Sequence, residues 1–177
     1  MLEGELECWL DAHRFTVRAG DCVVARRGVP HAFFNPSNLP ARMVTLFAVS
    51  PPTTELTPDP ELQDGPPVHG VEFALWPVPA TFADEVMRYP VNAPIGASET
   101  KAELIVLPVG GSTVIGARRG QEVGGLCLDG SLAAGCDGDD RQGMGAGDFI
   151  FDASGDLTIR NLSESAATLL AVRSLID

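Results

Sequence analysis

The chain has 177 residues, 45% hydrophobic and 20% charged, which is enough for one large domain or two small ones and too apolar for a disordered chain. Twelve Lys and Arg against 24 Asp and Glu give a formal net charge of -12, a field that repels phosphate backbones and anionic lipid surfaces, so neither nucleic acid nor a membrane is an expected partner. The N-terminus lacks the basic start and apolar stretch of a signal peptide, and no run approaches the roughly 18 apolar residues of a membrane span; a soluble, cytoplasmic protein is expected.

In chain order, residues 5–10, 14–18, 21–25, 32–34 and 43–49 are short apolar or alternating segments, separated by turn formers at 11–13, 19–20 and 35–40. That pattern predicts strands, and short strands at regular spacing with Gly-rich corners predict an all-β sandwich or small barrel. Residues 51–70 are rich in proline and acidic side chains and poor in large apolar ones, so an extended linker is expected there. It separates a partial barrel at 1–50 from a second at 71–177. Phe73, Leu75, Trp76, Phe82 and Val86 are expected in the entry strands of the second barrel, and residues 81–88, between Pro79 and Pro90, are the one helix candidate.

An internal repeat organises the whole. Leu2-Glu3-Gly4-Glu5-Leu6 returns as Leu128-Asp129-Gly130-Ser131-Leu132, and Ala19-Gly20-Asp21 returns as Ala146-Gly147-Asp148. Gly28 then matches Gly155 and Asn35 matches Asn161, so four landmarks keep their order at offsets of 126, 127, 127 and 126. Cys8, Cys22, Cys127 and Cys136 show no CxxC and no paired Cys/His spacing of a zinc site; the first three lie in apolar runs, where free Cys behaves as a small core residue.

The stretch from Gly20 through Gly28, His31 and Asn35 resembles the second conserved motif of the cupins, metal-binding β-barrels of diverse activity: a glycine, five residues, a proline, one residue, a glycine, two residues, a histidine, three residues and an asparagine. Every position fits except that Arg26 replaces the proline. Residues 2–6 resemble the end of the first cupin motif, and residues 28–36 look most like the quercetinase-type dioxygenase branch. The resemblance implies two jelly-roll barrels (double-stranded β-helices) in a bicupin that dimerises through barrel faces. It implies that His31 enters the barrel as one ligand of a divalent metal (Fe, Mn, Ni or Zn), completed in relatives by two histidines and a glutamate from the first motif.

Here the pattern breaks. Only three residues precede Gly4, whereas roughly thirty residues of strand-like sequence precede Gly130, so the first barrel is expected to be N-terminally truncated. Counting back from Gly130, the family's histidine pair falls on Ala117 and Arg119 and its glutamate on Val123, beside Glu122; Thr158 stands where the first copy has His31. His31 thus has a ligand reading, and a second as a barrel-facing histidine satisfied by a hydrogen bond. His13 and His69 are expected to be exposed, in a turn and in the linker. Arg119, with Thr158 and Glu122 as neighbours, could hold a carboxylate or phosphate, or else form a solvated corner with Arg118. Trp9 and Trp76 read as packing residues, and the acidic run at 137–140 as a solvated hairpin loop.

Two functions follow. The first is a small-molecule-binding or structural bicupin with an incomplete metal site, acting as a homodimer because a truncated barrel exposes strand edges. The alternative is a metal-dependent cupin dioxygenase of the quercetinase type, its first barrel completed by residues outside this chain.

Overall fold

The structure is a computed structural model and describes residues 1–25, 28–45, 47, 55–56, 58, 61–65, 85–91, 100–117, 121–136, 142–153 and 155–174. Among them every regular element is a β-strand. The chain divides into two compact units, Met1–Pro77 with Asn92–Ala97, and Val78–Val91 with Ser98–Asp177.

In the first unit, β1 (Glu5–Leu10) and β2 (His13–Arg18) form an antiparallel hairpin, turned by Asp11 in the left-handed region at φ 54°. The other edge of β1 pairs with β3 (His31–Phe34), and β4 (Gln63–Asp64) lies parallel to β2, giving the order β3-β1-β2-β4. Period-two alternation sends Leu6, Cys8 and Leu10 to one face, where they are buried with Val17 and flanked by Phe15, Val29, Phe33 and Met43. The expected linker is therefore structured over residues 63–64: Gln63 N–H donates to Ala12 O at 2.7 Å, Gly65 N–H to Arg14 O at 2.8 Å, and Arg14 pairs with Asp64 at 2.6 Å. These bonds cover the outer edge of β2.

The second unit is a jelly roll of two sheets. A five-stranded sheet runs β11 (Phe149–Asp152), β8 (Val123–Asp129), β13 (Ala167–Ser174), β6 (Thr100–Leu107) and β5 (Met87–Pro90). A four-stranded sheet runs β10 (Gln142–Gly145), β9 (Ser131–Cys136), β12 (Leu157–Asn161) and β7 (Ser112–Ile115). Ile105, Leu107, Ile115, Leu132, Leu157, Ile159 and Leu169 fill the space between them. Residues 87–88, assigned above to a helix, are strand instead, because Met87–Pro90 finds an open edge on β6 (Met87 opposite Val106, Pro90 opposite Glu103); residues 81–84 lie outside the described residues.

The units share their corners. Gly4 (φ 74°) packs against Ala41 as Gly130 (φ 91°) packs against Ala167, both pairs offset by 126. Gly20 and Gly147 share φ 91°, and each following aspartate caps its turn: Asp21 Oδ2 accepts from Arg18 N–H and Asp148 Oδ2 from Gly145 N–H, both at 2.8 Å. Asn35 and Asn161 each accept from the N–H two residues on and donate to the carbonyl four residues on. Asn161 also ties down Leu107 O and Pro108 O.

The same comparison explains which expected strands form. Residues 21–25 correspond to β11, which is held by β8; residues 43–49 correspond to β13, which is held by β8 and β6. Among the described residues of the first unit nothing takes the place of β6, β7 or β8, and residues 21–25 and 43–45 form no strand. Instead of a ladder they make isolated bonds, such as Asp21 N–H donating to Arg18 O at 2.9 Å and Asp21 O accepting from the Met1 amino group at 2.7 Å. Residues 46 and 48–49 lie outside the described residues.

Candidate functional site

His31 opens β3 directly opposite Leu10 of β1, and Leu10 stands opposite His13 of β2, so the two histidines share one row and the core-facing side of the sheet. His31 is exposed, and its Nδ1 lies 2.9 Å from Val29 O. His13, expected in a turn, is the first residue of β2, with Nδ1 3.2 Å from Gly65 O. Phe33 continues the row pattern of His31 and packs on the core. Among the described residues no three His, Cys, Asp or Glu side chains gather as a metal would require. Among the described residues, then, His31 has no convergent ligand set, and those residues do not fit the metal centre that the resemblance implies.

In the second unit the ladder corrects the sequence register. His31 pairs with Leu10, and the equivalent rung of the four-stranded sheet pairs Cys136 with Leu157. The counterpart of His31 is thus Leu157, not Thr158, because the connection after Gly155 is one residue shorter than that after Gly28. Leu157 is fully buried in the core. Thr158 stands between Gly135 and Val114, on the opposite face of the sheet from Leu157, where Val114 is 47% exposed. The other counted positions are equally unlike a metal site: Ala117 packs partly against the core and Val123 is buried in it. Glu122 is exposed and engaged through its backbone, its N–H donating to Ser174 Oγ at 3.0 Å and its carbonyl accepting from Ser174 N–H at 2.9 Å. No hydrogen bond or ion pair joins Thr158 to Glu122 among the described residues. Arg118, Arg119, Arg26, His69, Trp76 and the acidic run at 137–140 lie outside the described residues.

Sequence reading missed a charged cluster at one end of the second unit. Lys101 and Glu103 alternate with Ile105 and Leu107 on β6, and Arg173 alternates with Leu169 and Ala171 on β13, so all three point to the core-facing side. Lys101 and Arg173 are opposite one another. Glu103, 13% exposed, receives Lys101 at 2.6 Å, Arg88 at 2.8 Å and Arg173 at 3.8 Å. Burial acts to raise the Glu103 pKa, but the hydrogen bonds and charges of Lys101 and Arg88 outweigh it and leave the carboxyl below its ordinary value. Arg88 also donates to Thr113 Oγ1 and to Val114 O of β7, clipping the edge strand of one sheet to that of the other. The signal was present in the sequence as charges at inward positions of apolar strands, legible only once the strand faces were known.

All four cysteines are free thiols. Burial pushes Cys8 up to about 12 and Cys127 up to about 11, and it raises Cys22 as well. Cys136, at the end of β9, donates to Asp152 Oδ2, whose other oxygen accepts from Gly155 N–H at 3.1 Å. Trp9 lies on the face away from the core and donates to Glu7 Oε1 at 2.6 Å.

The family model described as the cupin domain matches residues 1–47. No curated protein sequence matches the chain significantly. Among solved structures, a protein from Thermus thermophilus is similar with a TM-score of 0.46 at 19% identity, over 55% of this chain and 90% of that one. The cupin domain of an XRE family transcriptional regulator from Enterobacter cloacae gives a TM-score of 0.45 at 14% identity, over 51% of this chain and 96% of that one. A predicted oxalate decarboxylase from Thermotoga maritima gives 0.45 at 20% identity, over 56% and 93%. No described helix is long and apolar enough to cross a membrane.

Proposed function

We propose that this chain, whose first 47 residues match the cupin domain, is a small-molecule-binding or structural protein of two cupin repeats rather than a metal-dependent enzyme. The observation that carries the reading is the pairing of Leu157 with Cys136, which puts a buried leucine where the first repeat has His31. A leucine has no lone pair for a metal, and packed into the core it leaves no open coordination position beside it. All three histidines of the chain, at 13, 31 and 69, precede the second jelly roll, so that barrel has no imidazole of its own. Its interior is a packed core stabilised by apolar burial, at about 1.5–3 kcal/mol for each large side chain.

The test is elemental analysis of purified protein beside a His31→Ala variant. Metal well below one equivalent in a folded wild-type protein is expected. Stoichiometric iron, manganese, nickel or zinc that disappears with His31→Ala overturns the proposal and favours the dioxygenase reading. The same reading includes a homodimer: among the described residues nothing pairs with the outer edge of β3, the edge that β7 covers on β12 in the second unit, and such an edge invites pairing. Light scattering at micromolar concentration should give twice the 18.6 kDa chain mass, and a monomer there removes the dimer.

A further inference from the structure

We infer that Lys101 and Arg173, braced by Arg88 and Glu103, form a binding site for the dianionic group of a small metabolite, a phosphate or a pair of carboxylates, at one end of the strands of the second jelly roll. The inference rests on the binding role proposed above and names its ligand class. Lys101 and Arg173 are directly opposed on neighbouring strands, an arrangement in which like charges repel and which needs a counter-charge between them. Glu103 supplies one negative charge, and three cations converge on it. They are three of only twelve basic residues in a chain of net charge -12, and they sit on the core-facing side of their strands rather than on the solvent face.

Among the described residues, the acidic groups flanking this cluster are Glu122, exposed and bonded through its backbone to Ser174, with Asp152 and Asp156. Asp152 lies in the same row two strands from Arg173, across Val123, and its carboxylate is taken by Cys136 and Gly155. Asp156 is exposed and accepts from Ala117 N–H at 2.9 Å. Arg88 is pinned through both terminal nitrogens to Glu103, Thr113 and Val114, so it acts as the brace. Lys101 and Arg173 remain half-exposed, with side-chain exposures of 42% and 29%; Arg173 donates through Nη1 to Gly116 O at 3.3 Å and meets Glu103 at 3.8 Å. An oxyanion between them replaces water at two charged donors, the kind of contact that is stronger than a neutral hydrogen bond.

The full-length chain is titrated calorimetrically with inorganic phosphate and, separately, with malonate, at constant ionic strength in chloride. One saturable site per chain is expected, and the tighter of the two anions identifies which chemistry the site serves. Lys101→Met and Arg173→Met should each weaken it about tenfold or more. Arg160→Gln, which removes an exposed cation from the outer face of β12, should leave it unchanged. Glu103→Gln should tighten it, because the ligand no longer shares its cations. Absence of saturable heat with both anions on folded protein overturns the inference, as does equal weakening by Arg160→Gln or a Glu103→Gln variant that binds no better than wild type. Metal-free folded protein that ignores both anions sinks this site alone, whereas stoichiometric metal at His31 sinks the parent reading whatever the anions do.

Discussion

Replacing Gly130 by alanine tests the corner that both repeats share. Gly130 sits at φ 91°, outside the range an L-residue adopts readily, and a Cβ there would lie 2.6 Å from Ala167 Cβ, 2.9 Å from Ser163 Oγ and 3.1 Å from Ala167 Cα. The left-handed backbone costs about 1–2 kcal/mol. The forced displacement of β13, which carries Ala167 between β6 and β8, adds about 1–3 kcal/mol because a packed strand cannot give way as a flexible side chain can. Gly130→Ala is therefore expected to lose about 2–5 kcal/mol, whereas Gly143→Ala, with no atom within 4 Å of its new Cβ, should stay within about 1 kcal/mol. Urea unfolding followed by far-ultraviolet circular dichroism reads both, with hydrogen exchange at β13 locating the loss. A Gly130→Ala protein no less stable than Gly143→Ala would refute strain at this corner.

Three further outcomes are expected. Leu157→His should cost several kcal/mol by putting an imidazole without a partner into the core, at about 1–3 kcal/mol for the unpaired polar group on top of lost packing, while Thr158→His should be nearly neutral; thermal melts showing the reverse would restore the register that the sequence offsets suggested. The depressed Glu103 pKa contributes stability that is complete above the unfolded value of about 4.3 and is lost as pH falls through the folded value, so Glu103→Gln should flatten the acid limb of stability against pH, and an unchanged limb would count against the cluster. Cys8 and Cys127, with folded values of about 12 and about 11, bind their protons more tightly when folded; their contribution is full below about 8.5 and falls as pH rises toward the folded values, and both should resist iodoacetamide in native protein at pH 8 yet react in urea. Rapid native alkylation of either thiol, read by mass spectrometry, would contradict their burial.

Features governed by local backbone demands were legible in the sequence. Gly4, Gly20 and Asp21, with Gly130, Gly147 and Asp148, announce corners because positive φ and short side-chain caps call for those residue types, and the strands over 5–10 and 14–18 announce themselves by alternation. Features that depend on a partner strand were not. Residues 21–25 have strand composition but lack the ladder that β8 provides for β11, and residues 87–88 join β6 only because an edge is open there. The one-residue error at Thr158 has the same origin: landmarks on either side of a connection fix its ends, but only the rung between Cys136 and Leu157 shows that the residue was lost before the strand rather than after it.

The two repeats separate what the fold needs from what a site needs. Their corner residues coincide because changing them strains the backbone in either unit. Their inward positions diverge: His31 faces Leu10, Leu157 faces Cys136, Phe15 has Gln142 at its rung, and Val17 has Met144. An inward position can change without straining the backbone, and filling it with leucine stabilises the core at the expense of chemistry. The second unit went furthest in that direction along the middle of its strands. At their ends, where Lys101, Glu103 and Arg173 continue the same inward faces past Ile105 and Ala171, charge has been kept. Of these inward charges only Glu103 is largely buried, and it is paired with three cations; the anion proposed for Lys101 and Arg173 would give those two a use beyond that pairing.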